Sequence, residues 1–365
     1  MTDGQIGKRK ADHMRLAASV KDQSSGASWD DILLVHDALP EIDADAIDLT
    51  TRLIGHQLKL PLVIAGMTGG HPDAKQVNQA LAAAAQRHGV AMGVGSQRAA
   101  LRDPRLASTY TIAREAAPHA ILFANLGISQ LLDQEHEAAL AASALADAVE
   151  MIRADALVIH LNYLEESIQP EGQTRAAGAL AALETAARSV PVPVIAKETG
   201  AGISRSVALR LRDAGIAAID VGGFGGTSFA SIEAERAEWA GDAVKARMGR
   251  TFGTWGIPTA VSVIECAGIL PLIATGGVRS GLDAAKAIAL GATTVGIGRP
   301  LLQAALAGGN ALDEWLTAFE RELRTAAFLA GVRRASDLVT VSPRVTGATA
   351  DWLWARSITI APGNA

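Results

Sequence analysis

Eight short apolar runs recur along the chain between residues 61 and 299. They are rich in Val, Ile and Leu and do not alternate with polar residues, which is typical of strands covered on both faces in a parallel sheet. The runs are PLVIAG (61–66), GVAMGVG (89–95), AILFANLG (120–127), ALVIHLN (156–162), PVPVIAKETG (191–200), AAIDVGG (217–223), PLIATGG (271–277) and TTVGIGR (293–299).

Ala-rich stretches with helical spacing lie between these runs, for example AKQVNQALAAAAQRHG and SRSVALRLRDAG. Several end at Gly, the usual residue just past the end of a helix. Eight repeats of a strand followed by a helix predict an α/β fold, a (β/α)8 TIM barrel. A doubly wound open sheet is the main alternative. The barrel is preferred because polar motifs follow nearly every strand, at the end where barrel active sites are built.

Three stretches fall outside this repeat. Residues 1–60 contain no convincing strand–helix unit and are interpreted as an N-terminal arm and cover. Residues 229–258, after the sixth run, are a long loop insert that is expected to fold over the barrel mouth. The segment ALDEWLTAFERELRTAAFLAGV predicts an amphipathic final helix. We therefore divide the chain into an arm (1–60), a barrel (61–340) and a C-terminal tail (341–365).

Composition narrows the class of protein. Of the 365 residues, 49% are hydrophobic and 19% are charged, so the chain can bury a large core. The net charge of −5 gives no general attraction to nucleic acid or to anionic membranes. The single cysteine, Cys266, excludes an intrachain disulfide framework and a cysteine-based zinc site. We find no signal peptide and no apolar run of the ~20 residues that cross a membrane, so a cytoplasmic protein is expected.

Gly-rich motifs at the last two strands indicate a phosphate site. ATGGVRSG (274–281) follows the seventh strand and IGRPLL (297–302) the eighth, where barrels often bind phosphate with backbone N–H groups and a helix N-terminus. Gly276 and Gly277 let the backbone approach an anion closely, and Arg279 and Arg299 add positive charge. GGFGGTS (222–228), after the sixth strand, is able to complete the same cradle.

The other strands also end in polar groups or Gly. GMTGG (66–70) follows the first strand, GSQR (95–98) the second, and Asn125 and Lys197 end the third and fifth. The fourth strand leads into HLNYLEESIQPEG (160–172), which contains one His, one Asn and three carboxylates. One cofactor across the mouth, with its phosphate at strands seven and eight and its ring over strands one to five, accounts for all eight ends. FMN has that shape.

Taken in order, these motifs resemble the type 2 isopentenyl-diphosphate isomerases. The resemblance runs from about residue 7 to about residue 340. It rests on RKADH (9–13), GMTGG, GSQR, HLN followed by QPEG, KETGAGIS (197–204), DVGGFGGTS (220–228), WGIPT (255–259) and ATGGVRSGLD (274–283). It implies an FMN-dependent (β/α)8 barrel that interconverts isopentenyl and dimethylallyl diphosphate without net redox change. It also implies reduced FMN, Mg²⁺, NAD(P)H as the reductant, and a homo-oligomer, either a tetramer or an octamer.

The resemblance also assigns residues. FMN would be held by Met67, Thr68, Gly69, Ser96, Asn125, Lys197, Thr227, Gly276, Gly277, Arg279, Gly298 and Arg299. The substrate would be bound by Arg9, Lys10, Ser96, Gln97, Arg98, His160, Asn162 and Glu165. Mg²⁺ would be held by Glu166 against the diphosphate, since this hard cation is usually held by one or two carboxylates, phosphate oxygens and waters. The candidate catalytic residues are Glu165, His160 and Lys197.

Three positions depart from the family pattern, and all lie in the predicted substrate loop. Glu165 stands where the family usually has Gln, Gln173 where it tends to have Asp, and Tyr163 where it has a small residue or Pro. Two neighbouring carboxylates do not both ionise easily. Glu165 is therefore able to be a neutral acid, a general base or a second metal ligand.

Three alternatives stay open. The first is a relative that isomerises or cyclises a longer prenyl diphosphate, suggested by Glu165 and Tyr163. The second is an FMN-dependent 2-hydroxy acid oxidase, which needs a catalytic His and a pair of Arg residues for a carboxylate. It fits less well, because the His at the barrel mouth is early, on the fourth strand, and the RK pair precedes the barrel. The third is a flavin-binding barrel without catalysis.

Overall fold

Eight parallel strands close into a barrel in this computed structural model, which describes residue 26 and residues 28–141 and 143–358. The predicted (β/α)8 barrel is confirmed, and each of the eight apolar runs contains one strand. The strands are β1 (Leu62–Ile64), β2 (Ala91–Gly93), β3 (Leu122–Gly127), β4 (Ala156–Leu161), β5 (Val194–Glu198), β6 (Ala218–Asp220), β7 (Leu272–Thr275) and β8 (Thr294–Ile297).

Every strand pairs with the next one along the chain, and β8 pairs with β1 through Val295 and Leu62. No open edge of the sheet is left, which is the property that distinguishes a barrel from a doubly wound sheet. In the register between β5 and β6, Lys197 lies directly beside Asp220. Closure therefore fixes which polar groups meet at the carboxyl ends of the strands.

The helices follow the strands as the Ala-rich spacing predicts. They are α1 (Ala74–His88), α2 (Arg98–Arg102), α3 (Ser108–Ala116), α4 (Ser143–Met151), α5 (Tyr163–Ile168), α6 (Ala179–Ser189), α7 (Arg205–Asp213), α8 (Phe229–Trp239), α9 (Ala243–Thr251), α10 (Thr259–Cys266), α11 (Gly281–Ala289), α12 (Arg299–Ala307), α13 (Ala311–Leu329) and α14 (Gly347–Ala355). The amphipathic helix α13 forms as expected, but it is not the final helix, because α14 follows it.

The two ends of the barrel are built differently. At the amino-terminal end, a hairpin of Thr51–Leu53 and His56–Leu58 inserts Leu53 and Leu58 into the interior, where they pack with Val63 and Phe123. All four side chains are at most 4% exposed. The opposite end, where the strands terminate in Gly and polar residues, is left for the site.

Segments before and after the barrel contact one another. Ile32–Leu33 pairs antiparallel with Arg344–Val345. The indole Nε1 of Trp29 donates to the carbonyl of Gly276 at 3.0 Å, so the N-terminal segment supports the loop after β7. The division into an arm (1–60), a barrel (61–340) and a tail (341–365) stays a prediction.

The insert after β6 forms α8 and α9, and both pack against α5, the helix that follows β4. Arg236 of α8 pairs with Glu171 at 3.2 Å, and Lys245 Nζ donates to the carbonyl of Ser167 at 2.8 Å. The insert thus lies on the predicted substrate loop. Among the described helices, none is both long and apolar enough to cross a membrane.

Candidate active site

A cavity of about 610 Å³ opens at the carboxyl end of the barrel, and residues at the ends of all eight strands line it. Most of the residues predicted to bind FMN meet there. Those that line it are Met67, Thr68, Ser96, Asn125, Lys197, Thr227, Gly276, Gly277, Arg279, Gly298 and Arg299. Phe229 and Trp315 also line the cavity and were not predicted. Both side chains come from helices, so the strand-end pattern gave no signal for them.

The loops after β6 and β7 form one wall of this cavity and lie in direct contact. A Cβ on Gly226 would be 3.0 Å from the amide nitrogen of Gly277, closer than side chains normally pack. Gly276 has φ +128° and Gly277 has φ +67°, backbone angles that favour glycine. Arg279 Nη1 donates to the carbonyl of Gly277 at 2.9 Å, which holds the guanidinium beside the loop.

Lys197 finds its counter-charge within the protein. Its Nζ lies 3.1 Å from Asp220 Oδ2, and the side chains are 13% and 7% exposed. A buried ammonium is costly without such a partner. Asp220 was missed as a site residue, although a carboxylate at the end of the apolar run AAIDVGG was a signal. The ion pair fixes the Lys197 side chain at the wall of the large cavity.

The neighbouring carboxylate, Glu198, fixes the loop after β5. Its Oε2 accepts from the backbone N–H groups of Gly200 (2.6 Å), Ala201 and Gly202 (3.2 Å). Burial raises the pKa of Glu198 from 4.5 to about 7, although the N–H groups of Ala201 and Gly200 and the charge of Lys197 lower it. Because the pKa of Glu198 is higher in the folded state than in the unfolded state, its contribution to the free energy of unfolding is fully present below pH 4.5. That contribution is lost as the pH rises through 7.

Glu198→Gln should make the stability of the protein less dependent on pH. Between pH 5 and pH 8, the free energy of unfolding of the wild type should fall more than that of the variant, by about 1–3 kcal/mol. Urea denaturation at both pH values measures this difference. Glu184→Gln, a surface change of the same charge, is the control and should follow the wild type. An equal pH dependence in wild type and Glu198→Gln would contradict the prediction.

A second cavity of about 110 Å³ adjoins the first, and His160 and Glu165 line both. It is also lined by Gly69, Arg98, Asn162 and Glu166, all of which were predicted as site residues. His160 Nδ1 is 2.8 Å from Asn125 Oδ1, so the two side chains at the ends of β3 and β4 orient each other.

Asn162 connects the two adjacent carboxylates. Its Nδ2 donates to Glu165 Oε2 and to Glu166 Oε1, each at 3.1 Å. The other oxygen of Glu166 accepts from the backbone N–H of Gln173 at 2.7 Å. Glu166 is only 3% exposed. The loop therefore holds a buried carboxylate in one orientation beside the small cavity.

Arg98 is held by a carboxylate that was not predicted as a site residue. Both Arg98 and Arg102 form ion pairs with Glu137, and the amide Nε2 of Gln173 donates to Glu137 at 2.7 Å. Gln173, one of the departures from the family pattern, thus joins the same network. Glu137 lies in a polar loop after β3, where sequence offered no way to tell it from other exposed carboxylates.

One predicted substrate residue, Gln97, is not brought to the cavities. Gln97 is fully buried and lines neither cavity: its Nε2 donates to Ala148 O at 2.8 Å and its Oε1 accepts from Asn125 N at 2.9 Å. These bonds favour a supporting role for Gln97 over the predicted substrate contact. Arg9 and Lys10 lie outside the described residues.

Solved structures share the fold of this chain. A mandelate oxidase variant with an FMN adduct has a TM-score of 0.62 at 17% identity, covering 94% of this chain and 99% of that chain. A lactate oxidase from Pediococcus acidilactici has a TM-score of 0.64 at 17% identity, covering 94% of each chain. At such low identity the likeness concerns the fold alone. The family model for FMN-dependent dehydrogenases also matches, over residues 16–104 and 162–343.

Sequence comparison is more specific. The isopentenyl-diphosphate delta-isomerase of Archaeoglobus fulgidus is 47% identical over 347 residues, covering 95% of this chain and 98% of that protein. The isopentenyl-diphosphate delta-isomerase of Methanoregula boonei is 49% identical over 345 residues, covering 93% and 94%. The chain is therefore an isomerase, and it belongs to the FMN-dependent, type 2 isopentenyl-diphosphate delta-isomerase family.

Proposed function

We propose that this isomerase interconverts isopentenyl diphosphate and dimethylallyl diphosphate and uses reduced FMN and Mg²⁺. The observation that carries the proposal is the pair of adjoining cavities, joined at His160 and Glu165. The large cavity has room for a flavin. The small one has the charged groups that a metal diphosphate requires. The five-carbon chain would lie between them.

The large cavity fits FMN in size and chemistry. Its volume of about 610 Å³ is within the usual range for ligand sites, roughly 300–1,000 Å³. The buried Oγ1 of Thr275 lines it and finds no hydrogen-bond partner within the described part of the chain. The phosphate would rest on Gly276, Gly277 and the N-terminus of α12, with Arg279 and Arg299 supplying charge. When bound, reduced FMN supplies an electron-rich ring that favours proton transfer at the alkene.

The small cavity fits a cation that is shared with a substrate. Among the described residues, no group of three or more His, Cys, Asp or Glu side chains is arranged to hold a metal alone. Mg²⁺ commonly takes one or two carboxylates together with phosphate oxygens and waters. Glu166 would supply that carboxylate. Arg98, which lines the same cavity, would add positive charge.

The two adjacent carboxylates are proposed to have different roles. Glu165 lines both cavities, whereas Glu166 lines only the small one. Glu165 is therefore the carboxyl group that is able to meet the reacting carbons, and His160 and Lys197 are the neighbouring candidates for moving or balancing a proton. Arg9 and Lys10 are proposed to complete the diphosphate site.

Glu165→Gln should retain isomerase activity, within about tenfold of the wild type. A glutamine keeps a carbonyl oxygen that can accept from Asn162 Nδ2 and restores the usual family residue. Steady-state rates with isopentenyl diphosphate measure the effect, and Glu165→Ala, which loses the acceptor, should be slower. A loss of ~10²–10⁴-fold in Glu165→Gln, the usual size of a general acid–base contribution, would show that the carboxyl group itself moves the proton.

The proposed activity is tested by anaerobic incubation with reduced FMN, Mg²⁺ and a panel of prenyl diphosphates, with NMR to identify the products. Dimethylallyl diphosphate from isopentenyl diphosphate is the expected result. Products from longer chains only would favour the relative that acts on longer prenyl diphosphates. Steady consumption of O₂ with a 2-hydroxy acid would favour the oxidase. No turnover at all would favour a barrel that binds flavin without catalysis.

Three further properties are proposed from the family resemblance. NAD(P)H would serve to reduce the flavin before turnover, since the isomerisation itself has no net redox change. The protein would act in the cytoplasm as a homo-oligomer, either a tetramer or an octamer. Anaerobic flavin bleaching by NADPH and size-exclusion chromatography with light scattering test the first and the last.

A further inference from the structure

Gln169 is a buried side chain in the small cavity that the proposed mechanism does not use. It follows the last residue of α5 and is 1% exposed. Its backbone is satisfied locally, since its N–H donates to Glu165 O at 2.9 Å and its carbonyl accepts from Gly172 N at 3.0 Å. Within residues 28–141 and 143–358, however, neither its Nε2 nor its Oε1 finds a hydrogen-bond partner.

Burying an amide whose nitrogen and oxygen have no hydrogen-bond partner is unfavourable, because both atoms are hydrogen-bonded to water in the unfolded chain. Native proteins seldom retain such a group unless a ligand or an ordered water completes it. Gln169 lines the cavity that also holds Glu165 and Glu166. A ligand in that cavity is therefore able to supply the missing partners.

The neighbouring amide of Asn162 indicates what this ligand offers. Its Nδ2 is already used by Glu165 and Glu166, and its Oδ1 is buried with no partner among the residues described. Residues that line the cavity thus carry two carboxylates and two buried amide oxygens, all of them acceptors. Water molecules on a divalent cation are strong donors and match this set. The Nε2 of Gln169, in contrast, requires an acceptor, such as a phosphate oxygen.

We propose that Gln169 binds the hydrated metal diphosphate directly. Its Oε1 would accept from a water on the cation, and its Nε2 would donate to an oxygen of the diphosphate. The inference rests on the proposed function, because it takes the diphosphate and the cation in this cavity from it. It goes further by adding a neutral, bifunctional contact to the charged groups Arg98 and Glu166.

The test compares two buried glutamines that differ in their partners. Gln134 lies in a neighbouring loop, and its amide is bonded to Ser129 O (3.0 Å), Arg175 O (3.1 Å) and Arg175 N (3.1 Å). Gln169→Leu and Gln134→Leu remove the same groups from similar burial. Both variants and the wild type are prepared with FMN bound. Melting temperature is measured without ligand, and binding of inorganic pyrophosphate with Mg²⁺ is measured by calorimetry.

Gln169→Leu should melt no lower than the wild type, since no protein hydrogen bond is lost. Its dissociation constant for magnesium pyrophosphate should rise about tenfold or more, the usual effect of removing hydrogen bonds to a charged ligand. Gln134→Leu should melt lower and bind pyrophosphate as the wild type does. FMN occupancy should be equal in all three proteins.

Two results would overturn the inference. One is no binding of magnesium pyrophosphate by the wild type. The other is an unchanged dissociation constant in Gln169→Leu, and a melting temperature as low as that of Gln134→Leu would then make Gln169 a structural residue. Isomerisation of isopentenyl diphosphate is assayed on the same preparations. If the wild type isomerises isopentenyl diphosphate and pyrophosphate binding does not depend on Gln169, the proposed function stands and this inference fails. If binding depends on Gln169 but no isomerisation occurs, this inference stands and the proposed function fails.

Discussion

Glu166→Gln should lower kcat/KM for isopentenyl diphosphate by about a thousandfold or more while leaving FMN bound. Losing a metal's charge stabilisation costs several kcal/mol, and each 1.36 kcal/mol is about tenfold in rate. The carboxylate is 3% exposed and is oriented by two donors, Asn162 Nδ2 at 3.1 Å and Gln173 N at 2.7 Å. A glutamine would turn its NH₂ group towards one of these donors, so the variant loses both the negative charge and its orientation.

The measurement is steady-state turnover over a range of Mg²⁺ concentrations, with the flavin absorbance of the dialysed protein as the check on folding. Glu171→Gln is the matched control, because Glu171 lies in the same loop, pairs with Arg236 and lines neither cavity. It should stay within about tenfold of the wild type. A Glu166→Gln enzyme as active as this control would remove Glu166 from the metal site.

The amino-acid sequence was sufficient to predict the barrel because the pattern of an apolar run followed by a helix is repeated. Eight apolar runs without alternation, each followed by helical spacing, leave few architectures, and an error in one run would not have changed the result. The stretches outside the repeat have no such redundancy. The hairpin that inserts Leu53 and Leu58 into the barrel floor was not predicted, since its strands are only three residues long.

The site was predictable to the extent that it is built from strand ends. Met67 follows β1, whereas Asn125, His160 and Lys197 lie near the carboxyl ends of β3, β4 and β5. Closure of the barrel brings all four to one cavity. What strand position does not determine is the direction of each side chain. Gln97 and Arg98 are neighbours, yet one is bonded inside the protein and the other lines the small cavity.

Residues that act through partners were harder to identify. Asp220 matters because β5 and β6 pair in a register that sets it beside Lys197, and that register is a property of the closed barrel. Glu137 matters because Arg98 and Arg102 converge on it from α2. Gln169 stands out only once the hydrogen-bond partners of its amide are sought in three dimensions.

The second large effect is expected at the predicted phosphate cradle, which consists of the Gly-rich loops 222–228, 274–281 and 297–302. Gly276→Ala should abolish stable FMN binding there. Gly276 has φ +128°, a conformation that L-residues rarely adopt. An added Cβ would lie 2.3 Å from Thr259 Oγ1 and 2.5 Å from the carbonyl of Gly223. The loop after β7 would therefore move, and the backbone N–H groups intended for the phosphate would move with it. We expect a weakening of FMN binding by about a hundredfold or more.

Two further variants separate loss of the cradle from general loss of stability. Gly226→Ala adds a Cβ 3.0 Å from Gly277 N at a residue without a positive φ, so it should weaken FMN binding with a smaller fall in melting temperature. Gly268→Ala has φ +74° with no atom within 4 Å of the new Cβ, so it carries backbone strain alone. Flavin fluorescence titration of the FMN-free proteins gives each affinity. If Gly268→Ala weakens FMN binding as much as Gly276→Ala does, the loss of affinity comes from backbone strain and not from a displaced phosphate site.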